Sequence, residues 1–431
     1  MKYVKALGLG MAVWLALIPA SAHGAGYSIY EQGAAALGMG GAAVASVGDA
    51  SAVFFNPAAI ARLEGTQLIV GGTVLTPVTS FSGVAPYPGY GVTEEMTRQY
   101  FYPPTVYVTH RFAGGWAAGA GLNAPFGLGI EWKNPNSFTG RYIATKADLK
   151  DLNANLSAAW APSSKWSAGV GLDLAFAKVN LQNREQAVVP GGGGAVADVA
   201  KIELDSDYKS GWGWNAAVSA LPSSEWKLAA SYHSKIIVEP SGKATFTQIL
   251  TGNAVFDAAV AAGLPPNQDV STVLRFPAVW TGAAAFSPKD DWTLEADANF
   301  FEWSVFTDLP IRFATTPGAN QTLIEDYKDS WQFRVGAEHR LPKYTYRFGY
   351  YYDQQAAPDE SLTPILPDAN RNGVTLGFGC KLGAAKRWTL DLYEMALFVD
   401  KRNTNGVERD GYNGEYKTFV NAAGVGLGYR W

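Results

Sequence analysis

Cysteine is nearly missing from this chain: Cys380 stands alone among 431 residues. No intrachain disulfide can form, and a cysteine-based metal site is excluded. The four histidines (His23, His110, His233, His339) lie far apart and show no ligand spacing, so no metal is expected. Charge is scarce as well. Asp, Glu, Lys and Arg make up 17% of the chain, against about a quarter in ordinary soluble domains. The 34 basic and 38 acidic residues leave a net charge of −4, which argues against a nucleic-acid partner. Beyond the amino terminus no run of about 18 apolar residues occurs, so no transmembrane helix is expected. Neither a G-x-S-x-G elbow nor a G-x-x-x-x-G-K-[ST] loop is found. Gly119-Ala120-Gly121 and Gly377-Phe378-Gly379 lack the βαβ setting of a dinucleotide loop. Catalysis and a cofactor are therefore not expected.

What the chain does have is aromatic and glycine residues. Phe, Trp and Tyr reach 13%, and 47 glycines are scattered throughout. Its first residues read as a secretion signal. Lys2 and Lys5 precede the apolar run Ala6 to Ala20, and Ala20-Ser21-Ala22 fits a signal-peptidase site. Residues 1–22 are set aside as this signal, with cleavage between 22 and 25.

The remainder alternates with the period of a strand. Between Ser330 and Arg340, Trp331, Phe333, Val335 and Ala337 share one face. Gln332, Arg334, Gly336 and Glu338 share the other. Tyr344 to Tyr352 and Trp166 to Phe176 alternate in the same way. A strand with one face toward lipid and the other toward a lumen needs this pattern. About 14 such runs are expected, near 66–80, 100–112, 115–132, 147–162, 165–183, 206–221, 225–246, 272–287, 291–313, 328–341, 343–356, 371–383, 387–401 and 417–431. Alternation fails near Glu394, where a bulge or a loop end is expected. Short turns such as Ala161-Pro162-Ser163-Ser164 and Leu341-Pro342-Lys343 mark one end of the hairpins. Longer connections, one with a short helix near Val255–Ala262, mark the other. The expected fold is all-β, a 14-stranded antiparallel transmembrane β-barrel in the cell outer membrane, residues 66–431. Its last strand ends on Trp431, as an address for outer-membrane assembly machinery would.

Residues 26–65 do not alternate. They are rich in small residues and carry few charges, as suits a plug packed inside the lumen. Within them, Asp49 to Ala58 resembles the plug of the FadL family of outer-membrane transporters of long-chain fatty acids, including TodX-type carriers of aromatic hydrocarbons. Asn56-Pro57-Ala58 matches the family's NPA motif. Pro125 to Trp132 resembles its third-strand region, and Tyr327 to Ser330 and Pro367-Asp368 resemble later landmarks.

The resemblance implies a monomeric barrel in outer-membrane lipid and lipopolysaccharide. It also implies a kinked third strand at Asn123, Pro125, Phe126 and Gly127, through which an apolar ligand leaves sideways. Pro125 has no N–H for a ladder bond, and Gly127 tolerates unusual dihedrals. Lys328 matches a basic head-group position of the family. The second such contact falls near Asn183 and Arg184, with asparagine at the matching position. Long-chain fatty acids are the first expected ligand, and uncharged aromatic or alkane hydrocarbons the alternative by the same route. A general porin and, more remotely, an outer-membrane lipid hydrolase are the readings from other classes.

Overall fold

The computed structural model describes residues 26–431; the expected signal lies outside the described residues. Fourteen antiparallel strands close into a barrel. They are β1 (Thr66–Gly83), β2 (Pro104–Arg111), β3 (Trp116–Asn123 continuing as Gly127–Glu131), β4 (Lys146–Trp160) and β5 (Trp166–Val188). Next come β6 (Val196–Ser206 and Lys209–Ala220), β7 (Trp226–His233, extended by Ser241–Gln248) and β8 (Val279–Lys289). Then follow β9 (Trp292–Phe301), β10 (Ser330–Arg340), β11 (Tyr344–Asp353), β12 (Arg371–Leu382), β13 (Trp388–Val399) and β14 (Gly414–Arg430). Closure is by β1 on β14, paired from Gln67↔Arg430 to Gly83↔Gly414. A closed ladder leaves no backbone polar group facing lipid without a partner.

Burial follows the alternation. On β10, Trp331, Phe333 and Val335 are exposed on the outer wall, while Ser330, Gln332 and Arg334 are buried inside. Trp116, Trp160, Trp166, Trp226, Trp388 and Trp431 are exposed near the short-turn end. Trp116 stacks on Trp160 at 5.7 Å and Trp388 meets Tyr429 at 4.5 Å across neighbouring strands. Amphipathic rings at that level suit a membrane–water interface. At the opposite end a helix spans Ala254–Gly263, where Asn253 Oδ1 caps the N–H of Phe256 at 3.2 Å.

Glu394 corrects one expectation. β13 pairs with β14 without a bulge, from Trp388↔Tyr429 to Phe398↔Phe419. Glu394 stays on the outward face and accepts a hydrogen bond of 2.6 Å from Asn421 Nδ2 on β14. A partner of matching polarity on the same wall satisfies the carboxylate, so the ladder need not break.

Candidate functional site

The interior is occupied by the chain's own amino-terminal residues. Two short helices, α1 (Ala34–Gly38) and α2 (Ala52–Phe55), lead into a 3-10 turn at Pro57–Arg62. The small side chains let backbone meet backbone. A Cβ on Gly169 of β5 would lie 2.5 Å from the carbonyl carbon of Pro57, and one on Gly349 of β11 would strike the backbone of Gly40. Glycine is required at both positions by this close approach.

Polar anchors fix the segment to the wall. Asn56 is fully buried. Its Nδ2 donates to Val44 O at 2.7 Å and to Ser219 Oγ on β6 at 2.9 Å, while its Oδ1 accepts from Ala58 N at 3.1 Å. It therefore caps the 3-10 turn that Pro57 begins and ties that turn to the barrel. Asp297 and Glu295 of β9 accept the N–H groups of Ala43, Val44, Ala45 and Ser46 at 2.6–3.2 Å. Arg334 of β10 donates to Gly40 O and lies over the rings of Tyr30 and Tyr351, 3.9 and 4.4 Å from their centroids. Buried charges need such pairing.

The wall is interrupted at β3. Its ladder with β4 runs to Asn123↔Asn153 and resumes at Gly127↔Lys150, so Ala124, Pro125 and Phe126 face Asp151 and Leu152 without pairing. On the other side, β2 pairs with β3 up to Val106↔Leu122. Main-chain bonding there resumes where Thr97 N–H meets Glu131 O at 2.6 Å. The amino-terminal segment supplies the missing partners. Ile29 N donates to Pro125 O at 2.8 Å, and Gly127 N to Tyr27 O at 2.9 Å. Gln32 uses its side-chain amide both ways, accepting from Ala124 N at 3.2 Å and donating to Ala124 O at 2.8 Å. Tyr107 OH holds Gln32 O at 2.9 Å.

Two cavities meet at this point. The larger, about 750 Å³, is bordered by inward residues such as Leu75, Asp151 and Leu397 and by outward ones, Lys150 and Leu152. It therefore connects the lumen with the outer side of the wall at the interruption. The smaller, about 70 Å³, is lined by Tyr30, Phe54, Phe276 and Phe301. Ile29 and Phe126 border both cavities. Phe126 stacks on Phe276 at 4.5 Å, and Tyr27 packs edge-on between Phe126 and Trp303.

The plug residues Asn56, Pro57 and Ala58 thus sit together inside the barrel, and Asn123 to Gly127 lie at the interruption. The two basic candidates are elsewhere. Lys328 is exposed and precedes β10, which begins at Ser330. Arg184 bonds Asn136 and Arg141 at the outer end of β5. Neither borders a cavity. Arg371 does border the larger one, donating to Gly26 O and lying 3.5 Å from Asp368. Sequence reading missed it because a cation at a strand start looks like any solvated strand end.

The class defined here is an outer-membrane β-barrel, whose amino-terminal segment packs against the inner face and whose third strand is interrupted. Comparison with known proteins agrees. Residues 15–431 match the family described as "Outer membrane protein transport protein (OMPP1/FadL/TodX)". The chain is 27% identical to the "47 kDa outer membrane protein" of Pasteurella multocida, covering 98% of this chain and 97% of that one. It is 24% identical to the "Long-chain fatty acid transport protein" of Escherichia coli K12, over 85% and 86% of the two chains. Among solved structures, a Pseudomonas aeruginosa FadL homologue superposes with a TM-score of 0.83 at 20% identity, covering 94% of this chain and 100% of that one. The P. putida toluene transporter TodX gives 0.73 at 20% identity, over 95% and 99%. The chain belongs to the OMPP1/FadL/TodX family of outer-membrane transport proteins.

Proposed function

We propose that this protein carries hydrophobic compounds across the outer membrane by binding them in the lumen, displacing its amino-terminal segment, and releasing them sideways at the β3 interruption. The observation that carries this reading is the larger cavity, which has both inward and outward wall residues on its border. An open aqueous pore is disfavoured by the packed residues inside the barrel.

Magnitudes are compatible with passage driven by the guest alone. The hydrogen bonds that Tyr27, Ile29 and Gln32 make to the interrupted strand contribute about 1 kcal/mol each. Each methylene moved from water into an apolar site contributes about 0.8 kcal/mol, so a modest alkyl chain offsets their loss. Fatty acids and hydrocarbons both fit this scheme, as the names of the relatives suggest. Uncharged guests fit better, because Lys328 and Arg184 lie away from both cavities. Arg371 already faces Asp368 at 3.5 Å, with Glu31 and Asp353 also acting on it.

The test is a ladder-restoring change at Pro125 and Gly127. A Cβ on Gly127 would come within 2.6 Å of Ile29 Cδ1, the movable end of that side chain, and valine at 125 returns the missing N–H, so Pro125→Val with Gly127→Val favours a continued β3 ladder. Uptake of a labelled hydrocarbon is expected to fall while the heat-modifiable barrel band on gels is unchanged. Undiminished uptake would refute the sideways route.

A further inference from the structure

Among the residues that border the two cavities, the buried polar atoms lacking a hydrogen-bond partner are Gln99 Oε1, Asn153 Oδ1 and both carboxylate oxygens of Asp151. All are acceptors. Asn123 Oδ1, at the end of the first half of β3, is another. Asp151 stands out because it cannot exchange acceptor for donor by an amide flip. It is 7% exposed and lies opposite Phe126, where the ladder is missing. The backbone N–H groups of Phe126 and Leu152 face it, yet neither completes a hydrogen bond. The charged group acting on it is a second carboxylate, Asp173. Of the other charges bordering the larger cavity, Glu31 is buried with Arg334 and Arg371 acting on it, and the rest are paired. Lys150 meets Asp148 at 3.4 Å, and Arg371 meets Asp368 at 3.5 Å.

A buried acceptor whose neighbouring N–H groups fall short of a hydrogen bond is a costly arrangement, and here it opens on a cavity large enough for a small ligand. We propose that Asp151 is the polar contact of a binding site at the wall interruption, one that takes an uncharged apolar compound bearing a hydroxyl or N–H donor. A phenol or a long-chain alcohol has this chemistry. Its donor hydrogen bonds to an Asp151 oxygen while its ring or chain lies against Phe126 and Tyr27. In either charge state the carboxyl group keeps an acceptor oxygen. Against the ionised carboxyl a carboxylate guest would bring acceptor against acceptor. This inference deepens the transport reading by naming the guest, but the site itself is testable without transport.

The experiment is competition binding to the purified barrel in detergent, using para-octylphenol and its methyl ether, which differ in the donor alone. The phenol is expected to bind about fivefold more tightly than the ether, the net effect of one hydrogen bond. In Asp151→Leu the two affinities converge, while the ether binds as before. Asp151→Asn, which keeps shape and an acceptor oxygen, gives an intermediate ratio and carries the comparison if the leucine variant does not fold. Equal affinities in the unaltered protein, or a phenol preference undiminished in both variants, would overturn the assignment. Cellular uptake of octylbenzene, which has no donor, is the separate readout. Its loss of protein dependence would count against transport and would leave the measured binding preference standing.

Discussion

The seam between β1 and β14 and the interruption in β3 are the two places where this barrel wall must be completed, and they are completed differently. At the seam the chain's ends pair residue for residue, from Gln67↔Arg430 to Gly83↔Gly414. At the interruption the partners are main-chain atoms of Tyr27 and Ile29 and one side chain, Gln32. Both satisfy the rule that backbone groups at membrane depth need hydrogen bonds. The seam does so with a long cooperative ladder. The interruption does so with a few bonds to a segment that belongs to no strand. A closed sheet can therefore contain one place that is completed by a segment from outside the sheet.

Locking each place covalently gives the sharpest contrast. In a Cys380→Ser background, Ser28→Cys with Phe126→Cys joins the bridged pair. Oxidation is expected to reduce uptake to that of cells lacking the protein, and reduction to restore it. The matching lock at the seam, Val74→Cys with Ala423→Cys on paired positions, should leave uptake unchanged. Equal effects of both locks would erase the distinction.

A smaller effect is expected from Asn56→Ala, which loosens the occupant and leaves both walls intact. It strips Val44 O and Ser219 Oγ of their buried donor, a cost of about 1–3 kcal/mol. Amide exchange in residues 43–58 should accelerate about tenfold or more and uptake should fall, with the barrel band unaltered. Smallest of all are Lys328→Gln and Arg184→Gln. Each should change hydrocarbon uptake less than about twofold, as expected of exposed positions away from the cavities. A large loss in either would restore a head-group role.

The barrel itself was readable because lipid on one side and lumen on the other impose a strict period of two. Each expected strand finds its counterpart, and the run at 328–341 is observed as Ser330–Arg340. The errors are local and have physical causes. Lys328, matched to a family head-group position, precedes β10, which starts at Ser330, and lies away from both cavities. Glu394 looked like a break because its satisfying partner, Asn421, is distant in sequence. The anchoring carboxylates Glu295 and Asp297 carry no signal in the sequence, since what they bind is backbone N–H, which every residue but proline carries. For the same reason nothing in the sequence announced that residues 27–32 would complete β3. Main-chain partners leave no compositional trace. Asp151 was equally silent, because its significance lies in the partner it lacks.

The occupant of the lumen is also part of the polypeptide, joined to the first strand at Thr66. In the proposed route an incoming guest would compete with a tethered segment, whose local concentration is set by chain length and does not fall on dilution. In that route the tether itself would bring the segment back to the interruption.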